Sequence, residues 1–231
     1  MKNVYLKVVL ALVIFLVMQG LGGILVAIVN GVINHYSAQE MASEAQVSPT
    51  LLALAVIILL VYPFIMRVFG KRTMKQFFKA AAPMQMLAFT TSSSAATLPL
   101  TMERTQKHLG VSEEVSSFVL PVGVTINMDG TSCYQAVAAV FLAQVLGLDL
   151  TFGQMLLILA TATISSIGTP GIPGGSIVML MIVLDSVGIP IEGLALILGI
   201  DRPLDMLRTV VNVTGDMTVS CVVENTKKIE N

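Results

Sequence analysis

The sequence contains no tryptophan, only two cysteines and few charged residues. Charged residues make up 12% of the 231 positions and hydrophobic residues 55%, whereas soluble domains carry about 25% charged residues. This balance excludes an ordinary soluble domain and predicts an integral protein of a lipid bilayer. The formal net charge is -1, so no basic excess indicates a nucleic-acid partner. Cys133 and Cys221 lie in apolar stretches without a CxxC spacing, which favours small core residues over a disulfide framework.

Residues 1–50 are predicted to form an N-terminal transmembrane anchor and an outer linker. The chain starts with a short basic segment, and the apolar run after it continues to about residue 33. A secretory signal has a shorter apolar core and a small-residue cleavage site. We therefore expect an uncleaved membrane anchor.

Residues 51–231 are predicted to form a membrane-embedded core that starts with a span over residues 51–70. Basic residues cluster after this span, and the positive-inside rule places such clusters in the cytoplasm. The same rule places both termini in the cytoplasm, so we expect a multi-pass protein of the cell inner membrane. The cluster consists of Arg67, Lys71, Arg72, Lys75 and Lys79.

Two segments carry polar or helix-breaking residues between apolar pieces that are too short to cross a bilayer. In residues 76–109 the pieces flank TTSSSAATLP, and each covers only ~20 Å of a ~30 Å hydrocarbon core. In residues 151–188 the interruption is SSIGTPGIPGGS, whose glycines and prolines no continuous helix tolerates. We predict two re-entrant helical hairpins, the first entering from the cytoplasm and the second from outside. A kinked spanning helix broken at Pro99 is the alternative for the first.

Each hairpin is followed by a polar span. Residues 115–148 are interrupted at NMDGT, and residues 191–224 contain NVTGD. Hairpins of opposite orientation around broken helices are typical of the inverted repeats of transporters, whose binding site lies between the two halves. The predicted fold class is an all-α membrane protein of transmembrane helices and two re-entrant hairpins.

The final span carries a polar stripe. Its polar residues are spaced by 4, 3, 4 and 4 positions, so a helix displays them within about 80° of one another. A charge at the bilayer centre costs at least ~2.5 kcal/mol, so the stripe must face a partner, water or a ligand. An internal salt bridge between Asp205 and Arg208 is the simpler explanation. The stripe consists of Asp201, Asp205, Arg208, Asn212 and Asp216.

The chemistry of these residues fits an acidic amino acid accompanied by a cation. Arg208 offers a planar fork for a carboxylate, and Asp205, one turn earlier, suits an ammonium group. A sodium ion needs several oxygen ligands, which a helix break can supply from its backbone carbonyls. The break at NMDGT and the carboxylate of Asp216 offer that combination.

Four motifs carry a resemblance to a known family. SSSAATLP, GVTINMDGTSCYQ, SSIGTPGIPGG and DMLRTVVNVTGD resemble, in order and spacing, the signature regions of the glutamate/aspartate:sodium symporters. These dicarboxylate/amino acid:cation symporters include the excitatory amino acid transporters. The resemblance covers about residues 60–224. It implies sodium-coupled symport of aspartate, glutamate or a C4-dicarboxylate, with H+ as an alternative coupling ion.

The resemblance also implies a solute site. The solute's side-chain carboxylate is assigned to Arg208 with Thr131, and its amino group to Asp205. The remaining substrate-binding residues are Asn212 and Ser94, which meet the α-carboxylate, and Ser93.

Sodium sites follow from the same resemblance. The first is assigned to the carbonyls of Gly123, Asn127 and Asn212 with the carboxylate of Asp216. The second is assigned to the backbones of Thr125, Ser166, Ile167 and Thr169. Asn127 and Asp129 belong to a further site that a third helix of the family completes, and this chain lacks that helix.

The sequence departs from the family pattern, and these departures leave alternative functions of the chain to consider. The chain has fewer spans before the first hairpin than family members have, and most of the scaffold that makes them trimers is missing, so a homotrimer is an open question. A truncated or hybrid transport core that binds solute and Na+ without transporting is one alternative. A CAAX-type intramembrane protease is a remote one, because EEVSSF at residues 113–118 lacks the required arginine. We expect no enzymatic activity.

Overall fold

A computed structural model describes residues 47–230 of the chain, with side chains described for residues 50–227. The predicted anchor over residues 1–50 therefore lies almost wholly outside the described residues. Helices account for every regular element in residues 47–230, and no strand occurs among them. The all-α prediction is confirmed for this part of the chain.

The first described helix contains a π-helical turn. Helix α1 (Val47–Val56) continues through Ile57–Val61 in π geometry into α2 (Tyr62–Val68). The stretch Thr50–Val68 has a mean hydropathy of 2.6, and among the described residues it alone is long and apolar enough to cross a membrane. One face of this stretch is exposed, including Leu52, Leu60 and Phe64.

Helices α3 (Met74–Thr91) and α4 (Ser94–Leu109) form a helical hairpin. The Thr73 hydroxyl accepts from the Gln76 amide, and the Gln76 side chain accepts from the Thr73 amide, so a capping box starts α3. At the tip, Ser92 adopts a left-handed conformation with φ 50°. The Ser93 hydroxyl then caps α4 by accepting from the Ala96 amide at 3.1 Å.

The next span is a helix broken in its middle. Helix α5 (Glu113–Ile126) ends at Asn127, and α6 (Asp129–Val145) begins two residues later. Asn127 and Met128 have non-helical dihedrals. The helical conformation is therefore interrupted within the NMDG sequence.

A second helical hairpin follows. Helices α7 (Phe152–Ile167) and α8 (Gly175–Ser186) pack against each other and are joined by the glycine- and proline-rich tip. A 3-10 turn over Ile191–Leu196 then leads to α9 (Leu198–Glu230). The polar helix thus begins at Leu198 rather than at residue 191. The connection before it is tight, since a Cβ at Gly193 would lie 3.4 Å from side-chain atoms of Leu142 in α6 and of Leu146, which directly follows α6.

Helix α9 packs against α3, α4, α5 and α6 and so occupies the centre of the described fold. Two glycines allow the backbones to approach. A Cβ at Gly130 would lie 2.6 Å from the Arg208 carbonyl oxygen, and a Cβ at Gly215 would lie 2.5 Å from Asn127 Nδ2. Any larger residue would push the broken span away from the polar stripe.

Replacing Gly130 with alanine should lower the free energy of unfolding by about 1–3 kcal/mol, because the backbone oxygen of Arg208 cannot move aside cheaply. Gly153→Ala is the matched control, since the first turn of α7 has no atom within 4 Å of the added Cβ. Thermal unfolding of the purified chain in detergent measures both. Equal melting temperatures for the two variants would contradict the close approach.

Candidate functional site

A small cavity lies between the two hairpin tips, the helix break and α9. Its empty volume is about 250 Å³, including the part open to solvent. Four of the predicted substrate-binding residues line this cavity, and Arg208 lies behind it, in contact with one of them. The four are Ser94, Thr131, Asp205 and Asn212.

Arg208 is fully buried and paired with two carboxylates. Its Nη1 donates to Asp201 Oδ1 and its Nη2 to Asp205 Oδ1, both at 2.9 Å. The guanidinium carbon lies 3.9 Å from the centre of the Tyr134 ring, which adds a cation–π contact. The internal salt bridge considered as the simpler explanation is therefore present, and Asp201 extends it. Sequence reasoning did not assign Asp201 or Tyr134 to the site.

The second hairpin tip contacts both Asp205 and the first tip. The Gly174 amide donates to Asp205 Oδ2 at 3.0 Å. The Gly171 carbonyl accepts from the Ser93 hydroxyl at 2.7 Å and from the Ala95 amide at 3.4 Å. These contacts cover the cavity with backbone from the second tip.

Several hydrogen bonds connect the helix break to α9, and three of them involve Asn127 or Gly130. Asn127 Nδ2 donates to the Asn212 carbonyl at 3.1 Å and to Asp216 Oδ1 at 2.8 Å, and the Gly130 amide donates to Asn212 Oδ1 at 2.8 Å. The Gly123 carbonyl accepts from the Asn127 amide at 2.7 Å. Gly123, Asn127, Asn212 and Asp216, predicted as one cation site, therefore form one contiguous buried cluster.

The other predicted cation residues lie where α5 and α7 end. Helices α5 and α7 are in contact, and Ser166 and Thr169 are buried while Thr125 is exposed. The Thr169 amide donates to the Ser166 carbonyl at 3.0 Å, in the turn that ends α7 after Ile167. The Thr125 hydroxyl donates to the Pro121 carbonyl at 3.2 Å, within its own helix.

Asp129 has a partner that sequence reasoning missed. The Tyr62 hydroxyl donates to Asp129 Oδ2 at 2.8 Å, and both side chains are almost completely buried. Tyr62 was not among the predicted site residues. Pro63 lies inside an otherwise regular span. Because proline has no backbone N–H, it was the sequence signal for a change in helix register at this point.

Two oxygens beside this bond have no donor. Asn127 Oδ1 and Asp129 Oδ1 are buried and lack a hydrogen-bond partner. Among residues 47–230, no group of three His, Cys, Asp or Glu side chains forms a metal cluster. The ligands available near the break are instead amide, carbonyl and carboxylate oxygens, the type that hard cations prefer.

Comparisons with known proteins match the chain over nearly its whole length. A model of the "Sodium:dicarboxylate symporter family" matches residues 3–226, a range that begins well before the four motifs. An "Excitatory amino acid transporter" of Caenorhabditis elegans is 38% identical over 226 residues, or 97% of this chain and 45% of that protein. "Excitatory amino acid transporter 3" of Mus musculus is 44% identical over 177 residues, or 77% of this chain and 34% of that protein.

The chain belongs to the sodium:dicarboxylate symporter family. The resemblance in the four motifs is thus confirmed, and the family is one of membrane transporters rather than enzymes. "Excitatory amino acid transporter 1" of Rattus norvegicus is 50% identical over 143 residues, which is 62% of this chain and 26% of that protein. The chain spans less than half the length of these curated relatives.

Replacing Asp201 with asparagine should destabilise the chain by about 3 kcal/mol, because Arg208 is completely buried and loses one of its two anionic partners. Glu103→Gln is the matched control, since it breaks the solvent-exposed pair with Lys107 and should leave the melting temperature unchanged. Denaturation of both variants in the same detergent provides the measurement. An Asp201→Asn variant as stable as the Glu103→Gln variant would show that this pairing contributes nothing.

Proposed function

We infer that the chain binds an acidic amino acid together with Na+ and moves them as a symporter across the cell inner membrane. The single observation that carries this proposal is the cavity in which both hairpin tips, the helix break and the polar stripe meet. Charged and polar groups this deep in an apolar fold are expensive unless a ligand uses them. Family membership supports coupling to sodium.

The solute is assigned to the cavity lining. The solute's amino group is assigned to Asp205. This residue lines the cavity, and its Oδ2 accepts a hydrogen bond from the Gly174 amide at the second tip. Arg208 lies directly behind Asp205 and would take the solute's carboxylate by exchanging it for a carboxylate that now occupies its fork. Thr131, Asn212, Ser94 and Ser93 supply hydroxyl and amide groups around the same space. A C4-dicarboxylate would use Arg208 in the same way.

Three groups of oxygen ligands are proposed to hold sodium, two of them at the helix break. In the first, the Asn127 amide nitrogen now stands between the Asn212 carbonyl and Asp216 Oδ1, where a cation would meet the same oxygens together with the Gly123 carbonyl. The unpartnered oxygens of Asn127 and Asp129 fit a cation on the other side of the break. The third group, at Thr125, Ser166, Ile167 and Thr169, rests on the resemblance. H+ remains an alternative coupling ion.

The two hairpins are proposed to be re-entrant, with the second as the gate over the solute. Its tip contacts Asp205 and the first tip at once, so closing and opening would change the surroundings of the solute directly. Non-helical backbone at such depth is tolerated where protein or water surrounds it. Ion and solute binding would then each favour closure and so assist the other.

Replacing Asp205 with asparagine should weaken aspartate binding by at least about tenfold, because the ammonium loses a charge-assisted partner. Binding of succinate, which has no amino group, should change much less. Calorimetry in sodium chloride with aspartate, glutamate and succinate measures this difference. Asp185→Asn, at an exposed position in α8, is the matched control.

Two outcomes would contradict the assignment. If none of the three solutes gives binding heat to the unmodified chain in sodium, the acidic-solute proposal fails. If Asp205→Asn weakens aspartate and succinate equally, Asp205 acts only through Arg208. Uptake into proteoliposomes under an inward sodium gradient, measured separately, distinguishes a symporter from a core that binds without transporting.

A further inference from the structure

The π-helical turn places Tyr62 in the interior. Before the turn the buried positions of the span are Thr50, Ala53 and Leu54, and Ile57 is buried at the first residue of the turn. After the turn they are Tyr62, Pro63 and Met66. The step from Ile57 to Tyr62 is five residues, whereas a continuous α-helix would return to the same face after three or four. The Tyr62 amide accordingly donates to the Ile57 carbonyl. Without this turn a leucine or valine would face the broken span instead.

The hydroxyl of Tyr62 lies close to both the helix break and α9. Its hydroxyl lies next to Gly215, since a Cβ there would stand 2.8 Å from Tyr62 Oη and 2.5 Å from Asn127 Nδ2. Gly215 also directly precedes Asp216. The phenol therefore reaches the space in which the break and α9 meet, and a side chain at residue 215 would close that space.

The hydrogen bonds around this space are incomplete in one respect. Asn127 uses both protons of its amide group on α9, and Tyr62 uses its single proton on Asp129 Oδ2. The oxygens left over, Asn127 Oδ1 and Asp129 Oδ1, are buried without a donor. Leaving such acceptors unpaired in the interior is unfavourable, and an electropositive ligand would remove that cost.

We propose that Tyr62 is a positioning residue for cation binding: its hydroxyl holds one oxygen of Asp129 and so leaves the other, with the Asn127 amide oxygen, for a cation. The inference rests on the proposed binding of Na+. It adds a residue from the α1–α2 span to an ion site otherwise built from the helix break. The role depends on the hydroxyl and on its bond to Asp129, not on the ring.

The test is a sodium titration of thermal stability with purified full chain, in which choline chloride keeps the ionic strength constant. A ligand that binds only the folded chain stabilises it by RT ln(1 + [L]/Kd), so the dependence of the melting temperature on sodium concentration gives Kd, the concentration at half-saturation. Tyr62→Phe, which keeps the ring, should raise the half-saturating sodium concentration by about tenfold, the factor expected for losing one hydrogen bond to a charged group. Thr101→Val is the matched control, because that buried hydroxyl bonds only to its own helix, at the Thr97 carbonyl.

A double-mutant cycle separates positioning from general stability. In an Asp129→Asn background, adding Tyr62→Phe should cause no further shift in half-saturation. A merely structural role would lower the melting temperature of Tyr62→Phe equally in sodium and in choline without moving half-saturation, and that result overturns the inference alone. If sodium fails to stabilise the unmodified chain, the proposed cation binding is wrong and the inference falls with it.

Discussion

The hydrogen bonds between the helix break and α9 are the constraint on which the rest of the described fold depends. Breaking α5 from α6 frees backbone groups in an apolar interior, where each unsatisfied group costs several kcal/mol. Asn212 accepts from the Gly130 amide, and Asn127 donates to α9 in return. Such short bonds require close packing: Gly130 permits the two backbones to approach, and Gly215 leaves room for the side chain of Asn127. The register of α9 against the break is thereby fixed.

That register determines the electrostatics of the interior. Asp129, Asp201, Asp205 and Asp216 are all buried in the described part of the chain, against one equally buried basic group, Arg208. Arg208 forms ion pairs with Asp201 and Asp205 and so neutralises charge at the N-terminal end of the stripe. Asp216, at the C-terminal end of the stripe, and Asp129, at the helix break, accept hydrogen bonds only from neutral donors, which are Asn127 and Tyr62. Buried carboxyl groups without a cationic partner are thus concentrated where the proposal places a cation.

Sequence patterns predicted the helical class, the polar stripe and the interrupted second tip for identifiable reasons, whereas Ser94 and Thr131 at the cavity followed only from the family resemblance. The spacing of the polar stripe follows from helix geometry, and glycine and proline at the second tip forbid a continuous helix. The pairing of Arg208 with Asp201 was missed because Asp205, at three residues, already offered a partner. Tyr62 was missed because a π turn changes the register by one residue, which periodicity alone does not reveal. The observed start of α9 at Leu198 differed from the predicted start at residue 191, because a tight 3-10 turn has the same apolar composition as a helix.

The tip of the second hairpin contacts both the first hairpin tip and α9. Gly171 accepts from the first hairpin and Gly174 donates to Asp205, so one short loop is hydrogen-bonded to both sides of the cavity. A solute amino group at Asp205 would have to share that carboxylate with the Gly174 amide or replace it. Either change alters the free energy of the closed tip by an amount comparable to one charge-assisted hydrogen bond, about 1.5–3 kcal/mol. A difference of that size between solute-bound and empty states is sufficient to shift a two-state gate by tenfold or more, which makes Asp205 the point where solute recognition and closure would act on each other.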